Sequence, residues 1–309
     1  MEMKDTSTII IIVTYNAMPW IHACLSSVKT YDVVVVDNAS TDETVTYIES
    51  HFPAVHLIKA TENIGFGQAN NIGIQYALNR SADYVFLLNQ DAYLQKDALT
   101  HLLVAHKNHS SFGILSPVHF NGDGTTLDRK FSNYLVYDYN PNFYGDAING
   151  NLQEIYEVEF VNAAGWLIPV DVIRKVGGFD PVFFMYGEDD NLSHRMKFHG
   201  YKIGVVSKAH MHHDRKNVPN KIPTQFSKEY FKERRLFYFS KLGNINKRGV
   251  DIILAKEVKK LNKEFWRNIL SFKINRGKFF RREKKMLQNI YPEILESRKR
   301  NEALNSYFK

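Results

Sequence analysis

Short apolar runs alternate with helix-compatible segments through the first 90 residues, and this alternation constrains the fold more than any other feature of the sequence. The runs are rich in β-branched residues and cover residues 8–14, 33–37, 55–59 and 84–88. The segments between them cover residues 20–29, 42–51 and 67–80. Continuous apolar strands joined by helical crossovers are typical of a mostly parallel sheet with helices on both faces. The sequence therefore predicts an α/β fold.

Polar residues follow each apolar run, at the points where the predicted strands end. In open α/β sheets, ligands bind beyond the carboxyl ends of the strands, so these residues are candidates for a ligand site. They are Thr14, Tyr15 and Asn16 after the first run, Asp37, Asn38 and Ser40 after the second, Glu62 and Asn63 after the third, and Asn89 and Asp91 after the fourth.

The first strand-to-helix turn argues against a dinucleotide-binding domain. A Rossmann dehydrogenase would carry Gly-x-Gly-x-x-Gly there, whereas residues 14–19 contain no glycine. A lone pair, Gly65-Phe-Gly67, does follow the third run. It is consistent with a flexible helix entry or with backbone that closely approaches a ligand.

Three acids crowd together about 100 residues after Asp91. Glu188, Asp189 and Asp190 lie in the predicted first turn of a helix. Acids at that place stabilise the helix dipole, so the cluster alone does not establish a function. Together with Asp91, which ends an apolar run abruptly, the cluster indicates a metal site and a general base.

The charge divides the chain into two parts. Residues 1–220 contain 16 Lys and Arg against 24 Asp and Glu, a net charge of −8, whereas residues 221–309 contain 24 against 9, a net charge of +15. Two prolines, Pro219 and Pro223, mark the change. We expect a catalytic domain over residues 1–220 and a basic helical region over residues 221–309 that contacts a membrane surface or another subunit.

The amino-terminal sequence and the cysteine content favour a reducing compartment. Cys24 is the only cysteine, so no intrachain disulfide can form. The apolar run at residues 9–13 is too short to span a bilayer, and no signal peptide precedes it. The predicted location is the cytoplasm, at the inner face of the cell membrane.

Five motifs in this order resemble family 2 glycosyltransferases of the GT-A fold. They are Val13-Thr-Tyr-Asn16, Val36-Asp-Asn-Ala-Ser-Thr-Asp42, Asn63-Ile-Gly-Phe-Gly-Gln-Ala-Asn-Asn-Ile-Gly73, Leu87-Leu-Asn-Gln-Asp-Ala92 and Phe183-Phe-Met-Tyr-Gly-Glu-Asp189. The resemblance covers residues 8 to about 215. The sequence is most similar to bacterial rhamnosyltransferases that build surface polysaccharides.

The resemblance implies a Rossmann-like GT-A domain and assigns roles to its residues. Asp189 corresponds to the catalytic base, and Glu188 orients or contacts the acceptor. Asn191 stands where relatives often carry another acid. The residues implied in binding the nucleotide sugar are Thr14, Tyr15, Asn16, Asp37, Asn38, Asn63, Gly65, Gln68, Asn70, Asn89, Gln90 and Trp166. For Trp166, core packing is an equally good explanation.

A divalent metal, Mg²⁺ or Mn²⁺, is also implied, because charge develops on the diphosphate that leaves the sugar. Asp91 resembles the last acid of the family's Asp-x-Asp motif, with Asn89 in place of the first. His213 is the second expected ligand, and His212 is the alternative. A surface strand rich in histidine would also account for both.

The function that the resemblance implies is inverting transfer of a sugar from a dTDP- or UDP-linked donor, with dTDP-rhamnose as the best guess. The acceptor would be a hydroxyl of a glycan or a lipid-linked molecule. The alternative is a non-catalytic homologue that binds nucleotide sugars as a partner or scaffold. Nucleic-acid binding is not expected, because no recognition motif accompanies the basic charge.

The basic region carries an apolar stripe at helical spacing. Leu254, Val258, Leu261, Phe265 and Ile269 recur every three or four residues among lysines. The stripe could lie on a membrane, or it could pack on the catalytic domain or on a partner subunit in a homo-oligomer. On the membrane hypothesis, truncation after residue 249 would leave donor hydrolysis intact.

Overall fold

The computed structural model describes residues 6–215 and 224–307, and the predicted boundary at residues 217–223 lies outside these ranges. The first half contains β1 (Thr8–Thr14), α1 (Ile21–Ser27), β2 (Asp32–Asp37), α2 (Thr44–His51), β3 (His56–Lys59), α3 (Phe66–Asn79), β4 (Tyr84–Asn89), β5 (Ala92–Leu94), α4 (Ala98–Asn108) and β6 (Phe112–Asn121). The second half contains a 3₁₀ turn (Phe131–Tyr134), α5 (Phe143–Ile148), β7 (Ile155–Glu157), β8 (Gly165–Pro169), α6 (Val170–Val176), α7 (Glu188–Phe198), β9 (Lys202–His213), α8 (Lys228–Gly243), α9 (Val250–Leu270) and α10 (Ile274–Glu302).

The strands form one sheet in the order β3-β2-β1-β4-β8-β6-β9-β5, with β7 also paired to β9. Strands β3, β2, β1 and β4 are parallel neighbours, and β8 is antiparallel to β4. Strands β6 and β9 run in the same direction as the first four, whereas β5 and β7 run in the opposite direction. The mostly parallel α/β sheet predicted from the sequence is therefore confirmed.

The central strands are buried on both faces, which explains their continuous apolar runs. In β1, Ile9 and Ile11 point into one cluster of core residues, whereas Ile10 and Ile12 point into another on the opposite face. All four side chains are at most 5% exposed. A strand that alternated between apolar and polar residues could not fill both clusters.

The segment between β6 and β7 is anchored in the core. Its 3₁₀ turn and the residues after it bury Phe131 and Leu135 completely. Asp128 starts the turn by accepting a hydrogen bond from the backbone N–H of Phe131. The segment consequently has a defined position beside the ends of β6 and β9.

Helices α8, α9 and α10 form a cluster of their own, in which the apolar stripe of α9 is covered. Leu261 is buried there, and Leu254 and Val258 pack around it. The same cluster contains Phe183, from the segment that leads into α7. Within the described ranges, no helix is both long and apolar enough to cross a bilayer. Three residues of the stripe thus pack mainly on the neighbouring basic helices of the same chain, and Phe183 is the cluster's buried contact with the first 220 residues.

The last described residues are docked beside the same segment. The backbone N–H of Asn305 donates to the carbonyl of Lys175, and the N–H of Gly178 donates to the carbonyl of Ser306. The buried carboxylate of Asp180 accepts a hydrogen bond of 2.6 Å from Ser297. Truncation after residue 249 would remove all of these contacts. The expectation that such a protein keeps its donor hydrolysis is therefore abandoned.

We expect Leu287→Ala to lower the free energy of unfolding by about 2–5 kcal/mol, because Leu287 is fully buried in the cluster of α8–α10 and Phe183. Leu270→Ala is the matched control. Leu270 is 76% exposed, so its loss should change stability by no more than about 0.5 kcal/mol. Equilibrium unfolding in urea measures both. Equal values for the two variants would contradict the packing described for this cluster.

Candidate active site

The carboxyl ends of β1 and β2 are joined by the carboxylate of Asp37. Its Oδ1 accepts hydrogen bonds from the hydroxyls of Thr14 and Ser40, at 2.9 and 2.5 Å, and its Oδ2 accepts from the Ser40 backbone N–H at 2.9 Å. Asp37 is 2% exposed. Asp37 therefore holds the strand ends together, its expected contact with a nucleotide stays a prediction, and its neighbours after β1 are more exposed.

Those neighbours are Tyr15 and Asn16, which follow β1. Asn16 adopts a left-handed conformation with φ +51°, and its side-chain oxygen accepts a hydrogen bond of 2.8 Å from the Thr41 backbone. The backbone N–H of Tyr15 donates to Gln90 Oε1 at 2.7 Å, which links the ends of β1 and β4. The Tyr15 side chain is 45% exposed. These residues form an open shelf over the sheet edge.

Asn38 connects this shelf to the loop before α3. Its Oδ1 accepts from the Ile64 backbone N–H at 2.9 Å, and its Nδ2 donates to Asn63 Oδ1 at 3.0 Å. Asn63 Oδ1 also accepts from the Gly65 backbone N–H at 3.0 Å. The side chains of Asn38 and Asn63 therefore set the path of the glycine-containing loop.

The close backbone approach at Gly65 is to the protein itself. Gly65 has φ +86°, and a Cβ atom there would lie 2.1 Å from the carbonyl oxygen of Phe184. That carbonyl accepts a hydrogen bond from the backbone N–H of Phe66. The approach of the segment that leads into α7 thus requires glycine at this position, and the expected contact of Gly65 with a ligand stays a prediction.

Two further residues expected to contact the nucleotide sugar lie in the interior. Trp166 is fully buried, with its ring stacked 6.3 Å from that of Phe179. Asn70 is 1% exposed and donates to the backbone carbonyl of Phe66. For Trp166 the structure favours core packing over sugar stacking, and for Asn70 it favours support of helix α3. Gln68 is partly exposed and donates to the carbonyl of Ile64.

The acids begin helix α7 directly after Gly187, whose φ of +95° turns the chain into the helix. The Asp189 carboxylate accepts hydrogen bonds from the backbone N–H groups of Asp190, at 2.9 Å, and of Ala163. Burial nevertheless prevails over these bonds and raises the pKa of Asp189. A carboxylate with a raised pKa is a better proton acceptor than an exposed one.

The two neighbouring acids share this environment. Burial, followed by the charge of Asp189, raises the pKa of Glu188 to about 8 and that of Asp190 to about 6. Glu188 is 5% exposed, and its Oε2 has no hydrogen-bond partner among the described residues. Such an arrangement is unfavourable for stability, so the helix start does more than satisfy the helix dipole.

Strand β8 connects these acids to the sheet edge. The backbone N–H of Asn89, at the end of β4, donates to the carbonyl of Ala164, and the preceding residue, Ala163, donates to Asp189. The side-chain oxygen of Asn89 is buried without a hydrogen-bond partner in the described part of the chain. The small residues before β8 thus place Asp189 next to the end of the central strand.

Asp91 and His213 face each other across the ends of β5 and β9. His213 Nε2 lies 3.4 Å from Asp91 Oδ1. Burial opposes ionisation of Asp91, but the hydrogen bond and charge of His213, with the charge of Arg215, prevail and lower its pKa. His212 points to the other face of β9, against the turn at Gly124. The geometry therefore favours His213 over His212 as the partner of Asp91.

The pair fits a hard divalent cation. The 3.4 Å separation is near that of two adjacent ligands of one octahedral ion, about 3 Å for bonds of about 2.1 Å. Among the described residues, no group of three or more His, Cys, Asp or Glu side chains could hold a metal ion. A metal at this site would thus depend on oxygen atoms of a bound substrate for its remaining ligands.

Three residues near this pair were not identified from the sequence. Arg215, two positions after His213, forms a two-pronged ion pair with Asp128, with both N–O distances 2.7 Å. Burial and the charge of Asp189 raise the pKa of Tyr134, which places its hydroxyl near the acids of α7. The signal available for Arg215 was its position just after a histidine-rich strand end. No signal marked Asp128 or Tyr134, because they lie in an irregular segment.

The site combines an open shelf, an acid–histidine pair suited to a cation, an arginine and a carboxylate of raised basicity. Most of the sheet that carries these groups matches a known family. The family described as glycosyl transferase family 2 matches residues 9–177, more than half of the chain. The chain belongs to glycosyl transferase family 2. The predicted family is therefore confirmed. The match contains the first four of the five motifs, and the fifth, at residues 183–189, follows it.

Curated relatives of this glycosyltransferase include two enzymes of glycan assembly. The low-salt glycan biosynthesis hexosyltransferase Agl10 of Haloferax volcanii is 27% identical over 210 residues, which cover 65% of this chain and 66% of that protein. The N-acetylglucosaminyl-diphospho-decaprenol L-rhamnosyltransferase of Mycobacterium tuberculosis is 24% identical over 253 residues, 74% of this chain and 82% of that protein. The chain thus spans about two thirds of the first relative.

Solved structures support the fold. The mannosyltransferase PcManGT from Pyrobaculum calidifontis, in complex with GDP-Man and Mn²⁺, aligns with a TM-score of 0.53 and 20% identity. The alignment covers 77% of this chain and 63% of that chain. The predicted GT-A architecture of this glycosyltransferase is confirmed.

We expect Glu188→Gln to stabilise the protein increasingly as the pH rises. The pKa of Glu188 is about 8 in the folded protein and about 4.5 when exposed, so the folded state binds this proton more tightly. The stability supplied by the proton is complete below about pH 4.5 and is lost as the pH rises through about 8. Urea unfolding of wild type and variant with a chelator, from about pH 5 to about pH 9, measures the difference.

The control is Glu296→Gln, which changes an exposed acid on α10. Because Glu296 is exposed, its replacement should change stability by no more than about 0.5 kcal/mol. A stability difference for Glu188→Gln that is constant across the range would show that Glu188 is not held in its neutral form by the folded protein.

Proposed function

We propose that this glycosyltransferase transfers a sugar, best assigned as rhamnose from dTDP-rhamnose, to a hydroxyl of a glycan or lipid-linked acceptor in the synthesis of a bacterial surface polysaccharide. The single observation that carries the proposal is the position of Asp189, a carboxylate of raised basicity at the same sheet edge as the Asp91–His213 pair. The rhamnosyl assignment is supported by the Mycobacterium tuberculosis relative, which is named an L-rhamnosyltransferase.

The donor would lie along the ends of the parallel strands. Tyr15, Asn16 and Asn38 form the shelf for its nucleoside, in the place where open α/β sheets bind nucleotides. Asp91 and His213 would hold Mg²⁺ or Mn²⁺ together with the diphosphate. When bound, such an ion neutralises negative charge that develops on the departing diphosphate. Mn²⁺ in the complex of PcManGT supports this choice of cofactor.

Arg215 supplies a second positive charge near the diphosphate. Its guanidinium is oriented by two hydrogen bonds to the buried Asp128. A guanidinium held in this way keeps a fixed direction and can stabilise phosphate oxygens without reorganising. The segment between β6 and β7 therefore contributes to donor recognition through Asp128.

The reaction is a single displacement. The acceptor oxygen forms a bond to the anomeric carbon while the bond between that carbon and the diphosphate oxygen breaks, and the bonding electrons leave with the diphosphate. Asp189 takes the acceptor proton as the new bond forms. Attack from the side opposite the leaving group inverts the anomeric configuration. Glu188, next to Asp189, is placed to orient the acceptor.

The substrate assignment is tested with a panel of purified sugar nucleotides scored by metal-dependent release of nucleoside diphosphate. We expect dTDP-rhamnose to give the fastest release, and UDP-linked sugars to be slower. Preference for another donor would overturn the rhamnosyl assignment alone. Binding of donors without any turnover, in the presence of glycan and lipid-linked acceptors, would favour the non-catalytic homologue.

With the preferred donor, Asp189→Asn should lower kcat by about two orders of magnitude or more and leave donor affinity nearly unchanged, because only the proton acceptor is lost. Asp190→Asn is the matched control, since it makes the same change one residue further along α7. It should reduce kcat much less. Equal losses in the two variants would mean that the acids act through their shared charge and that Asp189 is not the base.

Asp91→Ala should abolish the dependence of donor affinity on metal, because it removes the carboxylate of the two-residue site. Calorimetry with dTDP or UDP, with and without chelator, measures this dependence. Asp123→Ala, which removes an exposed acid from the turn after β6, should retain it. If Asp91→Ala keeps the affinity difference between metal and chelator, Asp91 has a structural role only.

A further inference from the structure

The turn between α9 and α10 exposes a contiguous group of large apolar side chains. Phe272 is 91% exposed, more than any other large apolar residue described, and Leu270 is 76% exposed. Trp266, in the last turns of α9, is 58% exposed, and Ile274, at the start of α10, is 52% exposed. We call these four residues the apolar tip. Single exposed apolar residues are ordinary, but a contiguous group marks a binding surface.

The backbone conformation of Phe272 is a second observation against a chance origin of the apolar tip. Phe272 has φ +56°, a left-handed conformation that is strained for a bulky side chain. The turn is nonetheless well bonded, since the N–H of Phe272 donates to the Ile269 carbonyl and the N–H of Lys273 donates to the Asn268 carbonyl. Neither burial within the chain nor backbone preference accounts for phenylalanine at this position.

The charge around the apolar tip has one sign. Residues 266–282 contain no Asp or Glu, and their cations are Arg267, Lys273, Arg276, Lys278, Arg281 and Arg282. All six are exposed. The first acid after them, Glu283, is 1% exposed and bound to Tyr230, Arg234 and Tyr238. Of the six, Arg267 forms an ion pair with Glu264, one turn earlier on α9, at 2.5 Å, and the other five form no ion pair within the described part of the chain.

We propose that the apolar tip docks on a bilayer that contains anionic phospholipids, with Leu270 and Phe272 inserted among the acyl chains and the surrounding cations at the headgroups. At a lipid interface, apolar side chains insert among the acyl chains, whereas tryptophan and basic residues stay at the depth of the headgroups. The exposed turn has both kinds of side chain, since its apolar residues are flanked by cations. The apolar stripe of α9 is covered by α8 and α10, so it is not the docking surface. This proposal does not depend on the transferase activity.

The first experiment measures binding of the full chain to vesicles. With vesicles of phosphatidylcholine mixed with phosphatidylglycerol, we expect the protein to sediment with the lipid, to be released by high salt, and to bind pure phosphatidylcholine at least about tenfold more weakly. Tryptophan emission should shift to shorter wavelength on binding. The variant Trp266→Phe should still sediment but lose most of this shift, since the other two tryptophans, Trp20 before α1 and Trp166 in the core, lie outside the apolar tip.

The second experiment separates the two parts of the surface. Leu270→Ser combined with Phe272→Ser should weaken binding to the anionic vesicles about tenfold or more. The control is Ile148→Ser on α5, which removes another exposed apolar side chain, 85% exposed, and should leave this binding unchanged. Lys273→Glu combined with Arg276→Glu should weaken binding by a similar factor. Lys29→Glu combined with Lys96→Glu controls for net charge, because both lysines are exposed elsewhere. Thermal unfolding should show that all four variants remain folded.

Three outcomes would overturn the proposal. One is equal loss of binding in the tip variants and their controls. Another is a tip-dependent increase in molecular mass without lipid, which would assign the apolar tip to contact with a second copy of the chain. The third is tighter, tip-dependent binding to nucleic acid than to anionic vesicles at the same salt concentration.

Discussion

The contact between Gly65 and Phe184 is the constraint on which the rest of the site depends. The loop before α3 is held by Asn38 and Asn63, which belong to the nucleotide side of the sheet edge. The segment before α7 carries the acids. These two segments meet backbone to backbone, with the N–H of Phe66 bonded to the Phe184 carbonyl, and a side chain at position 65 would separate them. The distance between the residues after β1 and β2 and the acids of α7 is therefore fixed by main-chain atoms.

The acids of α7 illustrate how stability and chemistry conflict at such a site. Burial of Glu188, Asp189 and Asp190 side by side raises all three pKa values, which makes the helix start unfavourable at neutral pH. The compensation lies elsewhere in the chain, where Phe183 packs into the cluster of α8–α10 and Asp180 binds Ser297. The basic region is thus a support for the acids, whatever surface its outer side contacts.

Much of the fold was predictable, and so was part of the site. The four apolar runs coincide closely with β1 to β4, because a strand buried on both faces leaves an uninterrupted pattern in the sequence. The strand-end residues Asn16, Asn38 and Asp91 do lie at one edge, as parallel pairing requires. For Trp166 and Gly65 the sequence left two explanations open, because composition does not reveal whether a side chain or a close backbone approach faces ligand or protein. Asp128 could not be found at all, since its partner Arg215 is 87 residues away.

The hydrogen bonds that join Asn305 and Ser306 to Lys175 and Gly178 can form only late in the synthesis of the chain on the ribosome. The parallel strands β1 to β4 are made first and need only local crossovers to pair. Glu188 emerges more than 100 residues before Ser306, a delay of roughly ten seconds at ordinary rates of translation. Throughout that interval the acids lack the surface that later holds them in place. The nascent chain can therefore pair β1 to β4 well before the residues that dock beside Lys175 and Gly178 are available to support the start of α7.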